Sequence, residues 1–329
     1  MKKKWAVLIG SFLTMLALAG CDYQRPLVFR PNGPVAQTQA NTINFSVFFM
    51  IFILVVVVVL YIFMLTKYRA SKAPKDYEPP HDKGNKYLEF TWTIIPIIIV
   101  TILAVVTVKT TNEVEKTPKG YEDQKPLVIY AASSNWKWHF SYPEEGIETV
   151  NYVNMPTKRP VEFRIYSYGP ITSLWIPQLG GQKYGMSDMI TKLHFVADNP
   201  KSMMGRNSNF SGQGTAKMEF EALSMTPADF DQWVKDVKAN EKKLTEKEFN
   251  KLLDTPYVGR KSYSSTHLKF SPPPEEHEDM QNMKNMDDMD MKKTTPTDGS
   301  GSDDNQFDKK NTEGNDKSEH NDHSEHSNH

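Results

Sequence analysis

The sequence predicts a membrane protein made of a two-helix transmembrane hairpin and an all-β sandwich outside the membrane. Two uncharged apolar runs, at 45–66 and 90–108, each have the length that a helix needs to cross a hydrocarbon layer of about 30 Å. Residues 125–223 follow as short alternating runs separated by turn residues, a pattern typical of a β-sandwich.

The N-terminal segment, residues 1–20, has the features of a secretory signal: lysines, an apolar stretch, and small residues before Cys21. The residues from Leu18 to Cys21 resemble the lipobox of bacterial lipoproteins. Cys21 is the only cysteine in the chain, which favours acylation at this position over an incidental thiol after an ordinary signal. Acylation would anchor the N-terminus in the outer leaflet. A single cysteine also excludes an intrachain disulfide and a multi-thiolate metal site.

The predicted topology follows from the charges around the two spans. Residues 21–44 lack an apolar period and are predicted to be an extracellular tether. The first span leads into a basic loop, residues 67–89, which the positive-inside rule places in the cytoplasm. The second span, with a kink expected at Pro96, returns the chain to the outside. Two core helices of a soluble domain are the alternative interpretation.

The C-terminal part of the chain is predicted to have two further segments. Residues 224–270 are expected to form a small helical appendix, with helix caps at Thr226 and Thr245. Residues 271–329 are acidic, poor in aromatic residues and predicted to be disordered. The repeated Met and His of this tail would suit weak copper or zinc binding, and a solvated low-complexity extension explains them as well.

Four local patterns give this order of segments a family likeness. They are YLEFTWTIIP at the second span, WKWHFSYP and ITSLWIPQLGGQKYGM within the sandwich, and GRNSNFSGQGTAKM near its end. From about residue 21 to residue 270, the chain resembles subunit II of the haem–copper respiratory oxidases. The resemblance implies that the sandwich is a cupredoxin-like domain.

The same resemblance implies where cytochrome-c-consuming members hold a dinuclear copper site. Its ligand positions fall on Thr172, Asn207, Asn209, Ser211, Thr215 and Met218. Threonines replace both histidines, asparagine and serine replace both cysteines, and Asn209 replaces the acid whose carbonyl would be a ligand. Hydroxyl and amide groups are poor substitutes for thiolates and imidazoles. We therefore expect no metal here and a core role for the retained Met218.

Within this oxidase family, the branch that lacks the copper relay takes electrons from membrane quinol. This chain resembles that branch. The resemblance implies subunit II of a haem-A-type quinol oxidase that reduces O₂ to water and pumps protons. Haem and copper are then expected in subunit I, with subunits III and IV as further partners, menaquinol or ubiquinol as substrate, and no cofactor in this chain.

Other functions remain as alternatives. A membrane-anchored binding or metal-handling lipoprotein is the second hypothesis, and the ligand substitutions disfavour a third, a cytochrome c oxidase subunit. The chain has neither a basic field nor a phosphate-binding glycine loop, which argues against nucleic acid as a partner.

Several further residues have both a functional and a structural interpretation. Glu89 lies at the cytoplasmic mouth of the second span, where the resemblance implies proton entry; an interfacial acid paired with a nearby lysine is equally consistent. Trp136 and Trp138 match aromatic residues that the resemblance makes an electron-entry patch in cytochrome-c-using members; without copper beneath them, they are interpreted as strand residues that pack against the core or the large subunit. His139 and His194 lie in strand-like runs with no second imidazole at a ligand spacing, so both are interpreted as structural.

Overall fold

The structure, a computed structural model, describes residues 26–69 and 84–275. The predicted signal with Cys21, the centre of the basic loop and nearly all of the acidic Met/His tail lie outside the described residues. The helices are α1 (Pro34–Lys67), α2 (Lys86–Val114), α3 (Pro227–Asn240) and α4 (Glu246–Asp254). The strands are β1 (Leu127–Ser134), β2 (Lys137–Tyr142), β3 (Ile147–Val150), β4 (Tyr152–Pro156), β5 (Pro160–Ser167), β6 (Thr172–Trp175), β7 (Gln182–Gly185), β8 (Thr191–Val196), β9 (Lys201–Asn207), β10 (Glu219–Met225) and β11 (Lys261–Tyr263).

The two long helices contain the predicted spans. Among the described residues, only α1 and α2 are long and apolar enough to cross a membrane. Their large apolar side chains are mostly exposed, as expected of helices whose solvent is lipid. The helix α2 starts at Lys86, behind an Asn85 side chain that caps its first backbone N–H groups, and it continues through Pro96. Residues 86–89, predicted as loop, are therefore helical.

The prediction of an irregular tether up to residue 44 is wrong for its second half, because α1 already begins at Pro34. Val35, Ala36 and Ala40 are buried there, and this part of α1 packs against β8. At the N-cap, Gly33 approaches the sandwich so closely that a Cβ would lie 2.0 Å from the carbonyl oxygen of Val196. Helix formation here depends on burying small side chains against a distant strand, which no local pattern signals.

The predicted β-sandwich is confirmed. One sheet has the order β11–β3–β2–β1–β5–β8 and the other has the order β4–β10–β9–β6–β7. Neighbouring strands are antiparallel except for the pairs β1–β5 and β4–β10. Large aromatic residues fill the space between the sheets, as expected of two inner faces that interdigitate. They include Trp138, Phe140, Phe163, Phe195 and Phe220.

The helical appendix is only partly as predicted. The hydroxyl of Thr226 accepts a hydrogen bond from the Asp229 N–H at 3.2 Å, and that of Thr245 accepts one from Glu248 at 3.3 Å, so both predicted caps are present. From α4 to residue 275, where the described residues end, the chain is not helical. β11 pairs with β3 at the edge of the six-stranded sheet, and His267 inserts into the interior. Residues after α4 are not helical because β11 gains backbone hydrogen bonds at the edge of the sheet and because His267 gains a buried position.

Candidate functional site

The loop between β9 and β10 gathers most of the positions that would ligate copper. Asn207 ends β9, and a 3₁₀ turn at Thr215–Lys217 leads towards β10. The Asn207 side-chain amide donates to the Ser211 hydroxyl at 2.9 Å and lies 3.5 Å from the Met218 sulfur. The Ser211 N–H donates to the Thr215 hydroxyl at 2.8 Å. The side chains of Asn207, Ser211 and Met218 therefore contact one another, and Thr215 joins them through the backbone of Ser211.

Further hydrogen bonds tie this loop to β6. The side-chain amide oxygen Oδ1 of Asn207 accepts from the backbone N–H groups of Ser173 at 2.8 Å and Asn209 at 3.1 Å. The Ser211 hydroxyl donates to the carbonyl of Ile171 at 2.7 Å. The Thr172 hydroxyl pairs instead with Ser133 on β1, at 2.7 Å. Neutral hydrogen bonds thus hold together the end of the sandwich at which a metal would otherwise bind.

The donor set does not fit a copper centre. It consists of an amide, hydroxyls and one thioether, which are weak copper ligands, and the amide and hydroxyls already have hydrogen-bond partners. Met218 is 1% exposed and belongs to the main hydrophobic core. Within residues 26–69 and 84–275, no group of three or more His, Cys, Asp or Glu side chains has a geometry that holds a metal ion.

Trp136 covers this loop from the side. It lies in the turn between β1 and β2 with φ 57°, so the prediction that it belongs to a strand is wrong. Its indole stacks on Tyr257 with ring centroids 5.5 Å apart, and the Lys217 ammonium lies 4.2 Å from the centroid of the Tyr257 ring. The loop between β9 and β10 also contacts Trp136 closely: a Cβ on Gly214 would lie 2.1 Å from the Cγ of the Trp136 indole. Trp138, by contrast, lies in β2 and is fully buried, as its structural interpretation requires.

Glu89 occupies the first turns of α2 and is exposed. The Thr93 hydroxyl, one turn later, donates to the carbonyl of Glu89 at 2.9 Å. Ile99 is the buried residue of α2, and at 100° per residue it is rotated roughly 80° from Glu89 about the helix axis. The cleft between α1 and α2 is lined by Leu88, Trp92 and Ile95 among other α2 residues, and neither Glu89 nor Thr93 lines it.

Sequence reasoning missed a polar cluster in the interior. His139 of β2, Glu148 of β3 and His267 are all fully buried. His267 Nδ1 lies 2.7 Å from the Glu148 carboxylate, and its Nε2 lies 2.8 Å from the Tyr166 hydroxyl. The two imidazole rings are 6.3 Å apart, so a second imidazole does lie close to His139. Phe249 of α4 stacks on His267 at 4.4 Å and closes the cluster.

The pKa values of Glu148 and His139 are both lowered in this cluster. Burial by itself raises the pKa of Glu148, but the charge of His267 and the hydrogen bonds from His139 and His267 together outweigh burial and lower the pKa to about 2. Burial lowers the pKa of His139, whose Nδ1 lies 3.6 Å from the same carboxylate. The cluster therefore contains an ionised carboxylate at neutral pH, and this carboxylate holds the C-terminal segment against β3.

Two comparisons of the amino-acid sequence identify similar proteins. Residues 28–110 match the family model described as cytochrome C oxidase subunit II, transmembrane domain. Quinol oxidase subunit 2 of Bacillus cereus is 44% identical over 259 residues, which cover 79% of this chain and 89% of that protein. Quinol oxidase subunit 2 of Bacillus subtilis is 43% identical over 266 residues, covering 80% and 82%. The probable quinol oxidase subunit 2 of Staphylococcus haemolyticus is 40% identical over 276 residues, covering 84% and 72%.

Among solved structures, the periplasmic domain of subunit II of cytochrome oxidase from Bradyrhizobium japonicum aligns with 34% of this chain and 94% of its own length. The identity is 19% and the TM-score is 0.34.

Proposed function

The chain belongs to the quinol oxidase subunit 2 family, and on that basis we propose how it works within a membrane oxidase. It is the second subunit of a complex that couples oxidation of menaquinol or ubiquinol to reduction of O₂ to water and to proton translocation. Subunit I holds the haem and copper, and subunits III and IV complete the assembly. The chain itself has a structural role.

The loop between β9 and β10 is the observation that carries this proposal. Electron transfer from a water-soluble cytochrome through this domain would need a metal relay, and Asn207, Ser211 and Thr215 offer only amide and hydroxyl groups that already have hydrogen-bond partners. Trp136 is stacked beneath Tyr257 rather than lying open as a contact for a docked donor. Both features support electron entry from quinol elsewhere in the complex.

The hairpin is the part of the chain that contacts subunit I, and the sandwich covers the outer face of that subunit. Neither Glu89 nor Thr93 lines the cleft between α1 and α2, and Glu89 offers an exposed carboxylate to a partner or lipid. A carboxylate at a water–lipid boundary can collect and pass protons. We assign proton entry to Glu89 on this ground, together with the family resemblance of the surrounding residues.

The role of Glu89 is tested by a Glu89→Gln substitution. Steady-state quinol oxidation by the purified complex should slow, while haem content and subunit composition stay unchanged. The matched control is Glu113→Gln, which removes an exposed carboxylate near the opposite end of the same helix. Normal turnover in the Glu89→Gln complex removes the assignment.

The lipid anchor is a separate part of the proposal. Acylation of Cys21 predicts that the mature chain incorporates radiolabelled palmitate and that Cys21→Ser abolishes the label. A wild-type chain without label refutes the anchor.

The whole proposal is tested by purifying the tagged chain in mild detergent. We expect a haem-bearing partner, a visible haem spectrum and quinol-oxidase activity, with no oxidation of reduced cytochrome c. Recovery of the chain alone would favour the membrane-anchored binding or metal-handling lipoprotein. Stoichiometric copper in this subunit together with rapid cytochrome c oxidation would overturn the assignment to the quinol branch.

A further inference from the structure

Phe210 is the most exposed large apolar side chain among residues 115–275, the described part of the chain beyond the two spans. It is 84% exposed, and Ile171, in the loop before β6, is 50% exposed. Large apolar side chains are usually buried, and exposed ones on adjoining loops mark a surface that binds a partner. We call Phe210 and Ile171, with the loops 168–171 and 207–216 that contain them, the Phe210 patch.

Hydrogen bonds hold Phe210 in a fixed position. The Asn209 side-chain amide and the Ser211 hydroxyl both donate to the carbonyl of Ile171, at 2.8 Å and 2.7 Å. The Ser211 N–H also donates to the Thr215 hydroxyl at 2.8 Å. Phe210 therefore lies between two residues that are tied to the same carbonyl. A side chain on a loop that is already ordered loses little conformational freedom when it binds.

Contacts between α1 and the sandwich show which end of the sandwich faces the membrane. Along α1 the chain approaches the apolar run at residue 45 as residue numbers rise. A Cβ on Gly180 would lie 2.8 Å from the Val35 side chain, and one on Gly181 would lie 2.7 Å from the Gln39 side chain. Because Gln39 is nearer than Val35 to residue 45, the chain approaches the membrane as it enters β7.

Strand pairing then places the Phe210 patch at the membrane end of the sandwich. β6 is antiparallel to β7, with Thr172 opposite Gly185, so β6 begins at the end that faces the membrane. β9 is antiparallel to β6, with Asn207 opposite Leu174, so β9 finishes at that end. The loop before β6 and the loop after β9 therefore both face the membrane side.

The chemistry of the Phe210 patch favours a protein partner over the bilayer surface. Residues 165–182 and 207–216 contain no Asp, Glu, Lys or Arg. The core of a protein–protein interface is typically aromatic and poor in charge. Segments that bind a membrane surface instead combine apolar residues with lysines and arginines. The patch has the first composition and lacks the cations of the second.

Subunit I is the partner whose position fits the Phe210 patch. The proposed function places this subunit against the exposed apolar surfaces of α1 and α2. The Ser208 hydroxyl donates to the side-chain oxygen of Gln182. Lys183, the next residue, pairs at 3.3 Å with Glu115 at the outer end of α2. The patch is thus continuous with the outer end of the hairpin, and a subunit that covers the hairpin reaches the patch with its outer surface.

We propose that Phe210 and Ile171 anchor the sandwich to the outer surface of subunit I, with the Phe210 ring in an uncharged, apolar pocket of that subunit. The hydrogen bonds within the loop after β9 then hold Phe210 in the docking position. This inference rests on the proposed function, because it takes subunit I as the partner.

Photo-crosslinking in the assembled complex tests the contact. Phe210 is replaced by p-benzoylphenylalanine, which keeps an apolar ring at this position, and the complex is irradiated in native membranes before purification. We expect a crosslink to subunit I, identified by mass spectrometry. The control is the same replacement at Lys235, which is exposed on α3. Because β10 is antiparallel to β9, the helix that follows β10 begins away from the membrane, and this control should give no crosslink to subunit I.

Labelling of an introduced cysteine measures how far the position is shielded. Phe210→Cys and the control Lys235→Cys are each treated in right-side-out membrane vesicles with a membrane-impermeant maleimide, and the wild type gives the background from Cys21. Because the core of an interface excludes water, we expect labelling of Phe210→Cys to be slower than that of Lys235→Cys by about tenfold or more.

The possible outcomes separate the docking from the proposed function. A crosslink from position 210 only to lipid or to another subunit, or equal labelling rates at the two cysteines, would overturn the docking. If a haem-bearing complex with quinol-oxidase activity forms and shows neither crosslink nor protection at position 210, the docking fails and the proposed function stands. If the chain purifies without a haem-bearing partner, both fail.

Discussion

Replacement of Asn207 by alanine tests whether the loop at the vacated copper position is held by its hydrogen bonds. The side-chain amide oxygen Oδ1 of Asn207 is the acceptor for the Ser173 N–H at 2.8 Å, and Ser173 is 1% exposed. In the Asn207→Ala variant this N–H is buried without a partner, which costs about 1–3 kcal/mol. The lost bonds to Asn209 and Ser211 add about 1 kcal/mol. We therefore expect a local destabilisation of about 2–4 kcal/mol.

Hydrogen exchange of the intact complex, read by mass spectrometry, measures this loss at the loop itself. A loss of that size predicts exchange about 30-fold to 700-fold faster in peptides covering Ser173 and the loop after Asn207. The control is Asn209→Ala in the same loop; Asn209 is half-buried, and its amide donates a solvent-exposed hydrogen bond to the carbonyl of Ile171. This control should change exchange less than tenfold, as expected of a solvent-accessible bond.

Two results would refute the reasoning. Unchanged exchange in Asn207→Ala would mean that its hydrogen bonds do not hold the loop. Loss of quinol oxidation with an intact haem spectrum would mean that the loop takes part in the reaction, since a structural role predicts near-normal turnover in the assembled complex.

Three further predictions concern the domain around this loop. Gly214→Ala should destabilise the domain by about 1–3 kcal/mol because its methyl group would overlap an indole, whereas Gly169→Ala, with open space around its Cβ, should be nearly neutral in thermal unfolding. His267→Gln should lower the urea midpoint, with a loss of about 1–3 kcal/mol of unfolding free energy, because it removes the imidazole Nδ1 that lies 2.7 Å from the buried Glu148 carboxylate; an unchanged midpoint would contradict the pairing. The free energy of unfolding should fall in two stages on acidification. Below about pH 6.5 the histidine at position 139 binds a proton in the unfolded chain but stays neutral when buried in the folded one. Below about pH 4.3 Glu148 binds a proton in the unfolded chain but stays ionised in the folded one, where its pKa is about 2. His194 also has its pKa lowered by burial, so His139→Gln should reduce the first stage in a series of unfolding curves without abolishing it, and an unaltered pH profile would show that His139 is not one of its sources.

The features that local patterns predicted were those with a local physical cause. The uncharged runs at 45–66 and 90–108 form helices because lipid leaves backbone groups no other partner. The caps at Thr226 and Thr245 form because the hydroxyl and the N–H groups it accepts from lie within three residues of each other. The β-sandwich followed from alternation and turn spacing, both of which are visible in short windows.

The predictions from sequence were wrong where the structure depends on contacts between distant segments of the chain. Residues 34–44 are helical because Val35 and Ala36 are buried against the sandwich. Trp136 turns out of the strand because Tyr257 offers it a stacking partner from far along the chain. No spacing in the sequence relates either segment to its partner.

At the candidate site, too, residue types were informative in the sequence, whereas the contacts were visible only in the tertiary structure. The identities of the side chains at 172, 207, 211 and 215 alone excluded a thiolate and imidazole copper site, because ligand chemistry depends on residue type. Only the tertiary structure decided what those side chains do instead, namely bond to one another and to β6. Likewise, His139 and His267 each look unremarkable in sequence, and it is the pairing of β2, β3 and β11 that brings them to one buried carboxylate. Residue type determines which bonds a site can make, whereas long-range strand pairing determines which residues are close enough to make them.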